Sequence, residues 1–323
     1  MKILIIGSAG MVGRKLTAAL IAGGLPGPID GLILSDVVET AIPPGAPAST
    51  RSVTTDLSKP GAAEALIAEK PGLVFHLAAI VSGEAEADFE KGYRVNFDGT
   101  RALFEAIRLE HQKSGYKPKL VFTSSIAVFG EPFPEAIPDD FFHTPLSSYG
   151  TQKAMGELLL ADYSRRGFFD GIGIRLPTIV VRPGAPNKAA SGFFSGILRE
   201  PLAGNEARLP VGDETRHWFA SPRAAVKFLL HAAKLDTSKL GARRNLTMPG
   251  LSATVGEEIA ALRRAAGDRA VALIRREADP AVAKLVAGWP RNFNAARATA
   301  LGFQAETTMD EIIAIHLKDE LGR

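Results

Sequence analysis

The stretch KILIIGSAGMVG, residues 2–13, decides the fold of this chain. Five residues typical of a buried strand run into three glycines spaced G-x-x-G-x-x-G, and an apolar-periodic segment continues from Met11 to Ile21. This pattern predicts a strand, a tight turn and a helix, because glycine permits positive φ in the turn and close packing of the helix against the strand.

A turn of this kind presents backbone amides to a bound anion. The first amides of a helix have no acceptor within the helix, and the helix dipole favours negative charge beside them. We therefore expect a dinucleotide diphosphate here, although a tight strand-to-helix turn needs glycine with or without a nucleotide. The predicted cradle consists of Gly7, Ser8 with its hydroxyl, Gly10, Met11, Val12 and Gly13.

The length of 323 residues suits a nucleotide-binding core with an added lobe. We predict an α/β fold, a Rossmann-type doubly wound parallel sheet with a smaller C-terminal substrate lobe. The dinucleotide-binding domain is expected over residues 1–177 and the substrate-binding lobe over 178–323. The lobe is predicted to be partly interleaved with the core, through a helix near residues 219–233 that returns to it.

Composition narrows the class of protein. Hydrophobic residues make up 46% and charged residues 23%, as in an ordinary soluble globule. The absence of cysteine excludes disulfides and thiolate metal sites, and we expect no metal and a cytoplasmic location. The net charge of +3 is dispersed among acidic neighbours, so we expect neither nucleic acid nor membrane as a partner.

The next strands add cofactor contacts. Gly31 to Asp36 is a predicted second strand whose terminal acid can accept hydrogen bonds from the adenosine ribose and repel a 2′-phosphate, which predicts NAD over NADP. A solvated loop carboxylate is the alternative reading of Asp36. Asp56 and Leu57 end a short edge strand and are expected beside the adenine.

A central strand is predicted within residues 71–79, ending in small residues that let the ribose approach the backbone. We expect Leu77, Ala78 and Ala79 to contact the cofactor and His76 to be packed rather than catalytic. A long helix is predicted from about Glu84 to Lys113. Asn96 within it can hold backbone or water of a neighbouring strand and is also assigned to the cofactor site.

A proton-transfer site is indicated by three residues. Ser125 ends a strand at the sheet edge where ligands bind, and Tyr149 and Lys153 share one face of a helix. Oxidising an alcohol needs a base for its proton, and a phenol of pKa about 10 serves only if nearby cations stabilise phenolate. We predict Tyr149 as base, Lys153 as its activating cation and ribose ligand, and Ser125 as a hydrogen-bond partner of the reacting oxygen.

The motifs together resemble the extended short-chain dehydrogenase/reductase superfamily, also called the NAD-dependent epimerase/dehydratase family. They are the glycine turn, His76-Leu77-Ala78-Ala79, Asn96-x-x-Gly99-Thr100, Thr123-Ser124-Ser125-x-x-x-Phe129-Gly130 and Tyr149-x-x-x-Lys153. The resemblance implies catalytic Ser125, Tyr149 and Lys153, cofactor contacts at the glycine turn and Asp36, and a nicotinamide contact near Pro177. It also implies a homodimer formed through two long core helices.

Within the family, residues 145–153, 171–178 and 191–201 are similar to members that oxidise a small 2-hydroxy sugar acid with NAD. Phe129 stands where many members have tyrosine, which argues against a nucleotide-sugar substrate. A carboxylate substrate calls for a basic partner. Arg182 and Arg216 are the candidates, Arg175 is interpreted as structural, and Ser82, Thr178 and Ser191 are assigned to substrate hydroxyls.

Other functions of the same fold are kept open. A nucleotide-sugar epimerase and an L-threonine-type dehydrogenase of the same superfamily are the enzymatic alternatives, and an epimerase would form no net NADH. A non-catalytic NAD(H) sensor is the third, although it has no use for a serine, a tyrosine and a lysine in this arrangement.

Overall fold

A computed structural model describes residues 1–184 and 190–323 of the chain. These residues form two compact units, each assembled from several segments of the chain. The first contains Met1–Ser125, Ser147–Arg175 and Val226–Leu246, and the second contains Ile126–Leu146, Leu176–Ala225 and Thr247–Arg323. The second unit thus includes residues 126–146, which the sequence analysis assigned to the first domain, and the chain re-enters the first unit at 226.

The strands are short, and most agree with the hydrophobic runs of the sequence. In the described residues they are β1 Lys2–Ile6, β2 Gly31–Asp36, β3 Arg51–Thr54, β4 Leu73–His76, β5 Lys119–Ser125, β6 Asp170–Leu176, β7 Thr178–Ile179, β8 Ala207–Leu209, β9 Arg216–Ala220, β10 Asn245–Thr247, β11 Leu251–Thr254 and β12 Ile274–Arg276.

The helices in the same ranges are α1 Met11–Ile21, α2 Ala62–Ile67, α3 Ser82–Ala87, α4 Phe89–Gly92, α5 Gly99–Ser114, α6 Ser148–Arg165, α7 Gly192–Leu202, α8 Pro222–Lys234, α9 Val255–Val271, α10 Pro280–Ala287, α11 Ala296–Ala300 and α12 Met309–Glu320. A π-helical segment, Tyr93–Asp98, precedes α5, and 3₁₀ turns occur at Ile126–Val128 and Thr237–Leu240. None of the helices in the described part of the chain is long and apolar enough to span a bilayer.

The first unit contains, in its described residues, a seven-stranded sheet in the order β10-β6-β5-β4-β1-β2-β3. Strands β3, β2, β1, β4 and β5 pair in parallel. The order reverses direction at β1 and β4, which is the switch point where doubly wound sheets bind ligands at the carboxyl ends of their strands. The predicted Rossmann-type fold is confirmed, and the glycine turn, Asp36, Leu77 and Ser125 all follow strands at this edge.

The predicted helix over 84–113 is wrong as a single helix. The chain forms α3, α4, a π-helical segment and α5 instead. Asp88 accepts a hydrogen bond from the Lys91 amide and begins a new helix, and Asn96 directs its side chain to the backbone of Ile80. π-Helical turns commonly mark functional sites, because the inserted residue changes the direction in which side chains point.

The second unit has its own apolar core. It contains a small sheet in the order β11-β9-β7 and a parallel pair of β12 and β8 within the part of the chain that is described. Phe194, Phe219 and Ile197 are fully buried in this core. The helix predicted near 219–233 begins at Pro222 instead, because Phe219 and Ala220 still pair in β9.

Candidate active site

The glycine turn has the geometry that its spacing predicts. Gly7 has φ +92°, and a Cβ there would lie 2.7 Å from the Ala78 amide nitrogen. At Gly13 a Cβ would lie 2.2 Å from the Gly7 carbonyl oxygen, so only glycine lets α1 start so close to β1. Both glycines are therefore required by the fold itself.

Gly10 differs from its two neighbours in the motif. Its φ is −66°, and the nearest atom to a Cβ would be the Gly7 oxygen at 3.4 Å. Gly10 is the N-cap of α1, where no side chain accepts a cap hydrogen bond and no acidic residue occupies the first turn. The helix amides of Met11, Val12 and Gly13 are left to an external acceptor, so the turn fits a diphosphate.

A Gly10→Ala variant is expected to weaken NADH binding at least tenfold, because its methyl group would stand where the diphosphate approaches. The free energy of unfolding should fall by only about 1 kcal/mol, the usual cost of Ala at an N-cap, because the φ of −66° suits Ala and a Cβ at Gly10 meets nothing closer than 3.4 Å. Gly13→Ala is the matched control and should lose stability instead. Calorimetric titration with NADH and thermal unfolding measure both, and unchanged NADH affinity in Gly10→Ala would place the diphosphate elsewhere.

Ser8 does not direct its hydroxyl outward as the sequence suggested. Its side chain is fully buried, and its Oγ lies 2.7 Å from the Thr40 Oγ1. Its amide donates to the Ser35 carbonyl oxygen at 3.2 Å. Ser8 therefore connects the turn to the segment after β2, and its assignment as a diphosphate ligand lacks support from these contacts.

Asp36 is held in place at the end of β2. Its carboxylate accepts hydrogen bonds from the amides of Ala9 at 2.9 Å and Val37 at 2.7 Å. The side chain is partly exposed, and two exposed apolar residues, Val37 and Val38, follow it. The sequence analysis missed these valines, which suit the face of an adenine beside the acid that would receive the ribose hydroxyls.

Asp56 and Leu57 have different environments, polar for Asp56 and apolar for Leu57. The Asp56 carboxylate accepts from the Ser58 amide at 2.9 Å and the Ser58 hydroxyl at 2.7 Å. Burial alone would raise the pKa of Asp56, but these hydrogen bonds outweigh it and lower that pKa. The Leu57 side chain is buried in the core of the first unit, so only its backbone could meet a cofactor.

The end of β4 passes directly beside the glycine turn. The amides of Leu77 and Ala78 donate to the Ile6 carbonyl oxygen at 2.8 and 3.0 Å, and Leu77, Ala78 and Ala79 are partly exposed. Ser82 is partly exposed at the start of α3. The small side chains at 78 and 79 keep the backbone accessible, as the cofactor assignment requires.

Asn96 holds the loop that follows β4. Its Oδ1 accepts from the Ile80 amide at 2.8 Å, and its Nδ2 donates to the Ile80 carbonyl at 3.2 Å and the Gln152 Oε1 at 2.8 Å. The side chain is 2% exposed. Its two N–H groups are thus used within the protein, and we assign Asn96 to supporting the site rather than to touching the cofactor.

His76 is a packed residue, as the sequence analysis expected. Thr100 gives its proton to the Asn96 carbonyl at 2.7 Å, so His76 Nε2, 2.8 Å away, is the donor to the Thr100 oxygen. Burial, and then the charge of Lys153, lower the pKa of His76 to about 3. The imidazole is therefore neutral throughout the physiological range.

The predicted catalytic residues of the first unit come together. Ser147 caps α6 by accepting from the Gly150 amide at 3.1 Å, which places Tyr149 in the first turn. The Ser125 hydroxyl hydrogen-bonds the Tyr149 phenol. Lys153 Nζ donates to the Thr123 carbonyl at 2.9 Å and lies 5.8 Å from the centre of the Tyr149 ring.

The pKa of Tyr149 differs in direction from the sequence expectation. Burial raises the pKa of Tyr149 to about 12, and the hydrogen bond from Ser125 opposes that rise. Burial lowers the pKa of Lys153 to about 8, while the Glu157 carboxylate one turn later opposes the change. The chain alone therefore keeps the phenol protonated, and a base at neutral pH needs a further positive charge beside it.

Among the candidate substrate-binding residues of the second unit, Arg182 makes several hydrogen bonds. Its Nη2 donates to the carbonyl oxygen and hydroxyl of Ser191 at 3.1 and 3.2 Å, and its Nε to the Ser195 hydroxyl at 3.4 Å. All these partners are neutral. Burial, and then the charge of Arg199, lower the pKa of Arg182 to about 10, so this guanidinium would gain from an anionic partner.

Arg216 is in a different environment. It donates to the Ser252 carbonyl oxygen at 3.0 Å and lies 3.5 Å from the Glu257 carboxylate. Its side chain is 40% exposed. Because Arg216 already has a carboxylate and solvent beside it, Arg182 is the better candidate for a substrate anion.

Thr178 and Pro177 follow β6. Pro177 is buried, and the partly exposed Thr178 has its Oγ1 2.6 Å from Nε2 of the buried His217. Burial lowers the pKa of His217 to about 3, so this ring stays neutral. The sequence analysis missed His217, because nothing in an apolar strand distinguishes a histidine that orients a hydroxyl from one that only packs.

Comparisons with known proteins give matches over most or all of the chain. A family model described as NAD dependent epimerase/dehydratase family matches residues 3–240. A D-erythronate dehydrogenase from Cupriavidus necator is 48% identical over 99% of this chain and 98% of its own. A D-erythronate dehydrogenase from Haemophilus influenzae is 42% identical over 97% and 98%.

A solved structure is also similar over the whole chain. It is the crystal structure of the nucleoside-diphosphate-sugar epimerase from Agrobacterium tumefaciens, which is 62% identical with a TM-score of 0.96. The alignment covers 100% of this chain and 95% of that protein. The similarity therefore extends through both units rather than the dinucleotide turn alone.

Proposed function

The chain belongs to the NAD dependent epimerase/dehydratase family, and from that premise we propose that it is an NAD-dependent dehydrogenase that oxidises D-erythronate at C2 to 2-dehydro-D-erythronate. Two relatives named for this activity support the substrate, with 48% and 42% identity over nearly the full length of both chains. The observation that carries the reaction type is the Ser125–Tyr149 hydrogen bond with Lys153 one turn further along α6.

The cofactor-binding role falls to the first unit. The amides of Met11, Val12 and Gly13 hold the diphosphate, Asp36 accepts the adenosine ribose hydroxyls, and Lys153 binds the nicotinamide ribose. Because a carboxylate at this ribose repels a 2′-phosphate, the chain selects NAD over NADP. Supporting this selection, Asp36 is partly exposed and fixed by two backbone amides.

Tyr149 accepts the proton of the substrate C2 hydroxyl, and Ser125 hydrogen-bonds the reacting oxygen. NAD supplies a hydride acceptor and a positive charge when it is bound. Together with the Lys153 ammonium, that charge would stabilise phenolate, so Tyr149 would accept the proton of the C2 hydroxyl during oxidation. Ser125 donates a hydrogen bond to the reacting oxygen and fixes its position. In the reverse direction Tyr149 returns the proton.

Substrate contacts are assigned in each unit separately: Ser82 in the first, and Arg182, Thr178 and Ser191 in the second. Arg182 binds the carboxylate, which orients the neighbouring C2, and the hydroxyls of Thr178 and Ser191 are available to the polyol. The support for Arg182 is that its side-chain partners among the described residues are neutral oxygens, while burial lowers its pKa to about 10. A charge-assisted bidentate pair is the strongest contact that such a small acid can make.

A second candidate is a nucleotide-sugar epimerase, which the name of the 62% identical Agrobacterium protein favours. An epimerase would return the hydride within each turnover and consume no cofactor. The two functions therefore differ in a single measurable quantity, the amount of NADH formed per product.

The deciding experiment incubates the protein with D-erythronate, L-erythronate, D-threonate, L-threonine or a nucleoside-diphosphate sugar, each with NAD and with NADP. We expect NADH to form in a one-to-one ratio with 2-dehydro-D-erythronate, and little reduction of NADP. Epimerised sugar without NADH would support the epimerase. Cofactor binding without turnover of any substrate would support an NAD(H) sensor.

We further propose that the chain forms a homodimer through α5 and α6. Leu109 on α5 and Leu158 on α6 leave 46% and 62% of their surface exposed, an apolar pair on the two long helices of the first unit. A Leu158→Arg variant is expected to sediment as a monomer at micromolar concentration, because a buried unpaired charge opposes association. Leu285→Arg, at an exposed leucine of α10, is the control and should sediment as wild type.

The cytoplasm is the proposed location. The support is that the chain has no cysteine and so no disulfide that would need an oxidising compartment. Fractionation of cells with an antibody against the chain tests this.

A further inference from the structure

Glu157 is a fully buried carboxylate that the catalytic assignment leaves unused. It lies on α6 at the position one turn after Lys153 and two turns after Tyr149, so all three share one face of the helix. Burying a carboxylate is costly unless it is paired, and a costly group beside a reacting centre calls for an explanation.

The partners of Glu157 come from two strands of the sheet. Arg175 on β6 donates from Nε at 2.9 Å and from Nη2 at 2.7 Å, to the two carboxylate oxygens respectively. Ser124 on β5 donates its hydroxyl to Oε1 at 2.5 Å. Ser124 directly precedes Ser125, so this carboxylate connects the strand that carries Ser125 to the helix that carries Tyr149 and Lys153.

We infer that Glu157 is a positioning residue of the proposed dehydrogenase site: its buried pair with Arg175 sets the electrostatic environment of Lys153 and Tyr149, and its bond to Ser124 sets the distance between Ser125 and Tyr149. The inference rests on the proposed function for its catalytic meaning. The pair contributes no net charge, so the site keeps the Lys153 cation as its own excess charge.

In the described part of the chain, charged and titratable groups on α6 and on the elements packed against it surround this pair. Lys153 faces Glu157 along α6, and His76 on β4 faces Lys153 but is neutral because burial lowers its pKa to about 3. At the two ends of α6, Glu86 on α3 accepts from the Ser148 amide at 3.0 Å, and Glu105 on α5 accepts from Tyr163 at 3.0 Å. Neither end reaches the middle of the helix, where the pair lies.

The direction of the effect on Lys153 follows from these charges. Burial lowers the pKa of Lys153 to about 8, and the Glu157 carboxylate raises it against that trend. A Glu157→Gln variant removes this carboxylate and leaves the Arg175 cation uncompensated. Both changes disfavour the ammonium, so the pKa of Lys153 should fall further.

The test follows Lys153 directly, by NMR titration of its ¹³Cε resonance in cofactor-free protein labelled at lysine and assigned with Lys153→Met. In Glu157→Gln we expect the midpoint to fall by about one pH unit, as for a unit charge changed about one helical turn away. Arg175→Met should move it upward, because the carboxylate then lacks its cation. Glu157→Gln with Arg175→Met should place the midpoint between those of the two single variants but below wild type, because Glu157, one turn from Lys153, is the group that raises the Lys153 pKa.

Controls separate electrostatics from damage to the fold. Asp162→Asn removes a carboxylate from the exposed face of the same helix and should leave the Lys153 midpoint unchanged. Glu157→Asp keeps the charge and should stay near wild type. If Glu157→Gln does not fold, the direction of the Lys153 midpoint shift in Arg175→Met, expected to be upward, still tests the inference. An unmoved midpoint, or shifts of the same sign in the two single variants, would overturn the inference.

Measuring activity distinguishes two outcomes: the inference about Glu157 can fail, or the proposed function can fail. If D-erythronate yields NADH, the acid limb of the kcat/KM profile should move to lower pH in Glu157→Gln, because the uncompensated Arg175 favours phenolate. If no sugar acid yields NADH in the wild type, the proposed function fails, yet the NMR midpoints still decide the role of Glu157.

Discussion

Replacing Tyr149 with phenylalanine is expected to lower kcat for D-erythronate oxidation about 10²- to 10⁴-fold, the range that a positioned general base contributes. The ring remains to pack at the start of α6, and only the oxygen that Ser125 contacts is lost. NADH affinity should stay within about threefold of wild type, because Lys153 and the glycine turn are unchanged. Initial rates of NADH formation and calorimetric titration with NADH measure the two effects.

The wild-type pH profile gives the same assignment a second check. A phenol whose pKa is raised by burial becomes a base only when it loses its proton, so at saturating NAD kcat/KM for oxidation should increase with pH and level off above the pKa of the base in the NAD-bound enzyme without substrate. Tyr149→Phe should lose this rise. Tyr163→Phe is the matched control on the same helix, where the hydroxyl bonds Glu105 instead. Turnover that persists in Tyr149→Phe would assign the base to another residue.

Replacing Arg182 with methionine is expected to lower kcat/KM for D-erythronate about 10²- to 10⁴-fold. Two charge-assisted hydrogen bonds to a carboxylate are lost, each worth roughly 1.5–3 kcal/mol. The Ser191 and Ser195 oxygens that Arg182 now contacts would remain, and the long apolar side chain preserves the packing. Steady-state kinetics with D-erythronate measure the change.

Two comparisons make this prediction specific to the carboxylate. Arg216→Met should reduce kcat/KM less than about threefold, because Arg216 is already beside Glu257 and solvent. With D-erythronamide, which lacks the negative charge, Arg182→Met should differ little from wild type. A large loss in Arg216→Met with none in Arg182→Met would reverse the assignment of the two arginines.

The residues differ in how well their roles could be foreseen. Gly7 and Gly13 were predictable because their spacing demands a backbone that no side chain permits. The direction of the Tyr149 pKa was not, because the sequence places a lysine four residues away but does not show that the lysine donates to Thr123 or that the phenol is enclosed. The break of the 84–113 segment was not predicted either: Asp88 caps a new helix, and Asn96 in the π-helical segment bonds Ile80, a contact between separate elements.

Glu157 shows the same limit. In the sequence it is an ordinary acid on an amphipathic helix, and the Arg175 that pairs with it is a charged residue inside a strand. Only after β6 lies beside β5, with α6 packed over them, do the two charges meet. The strength of an ion pair depends on its burial and on the distance between the charges, and neither can be predicted from the neighbouring residues in the sequence.

By itself the sequence determined the strand, turn and helix at the N-terminus, the hydroxyl at the end of β5 and the Tyr149–Lys153 spacing, since these follow from glycine sterics and from the periods of helix and strand, which act over a few residues. Only the tertiary structure decided that Ser8 faces Thr40, that Arg216 is paired while Arg182 has neutral partners, and that burial sets the pKa values of Tyr149 and Lys153. Desolvation and pairing arise when distant segments pack together, so no local pattern encodes them.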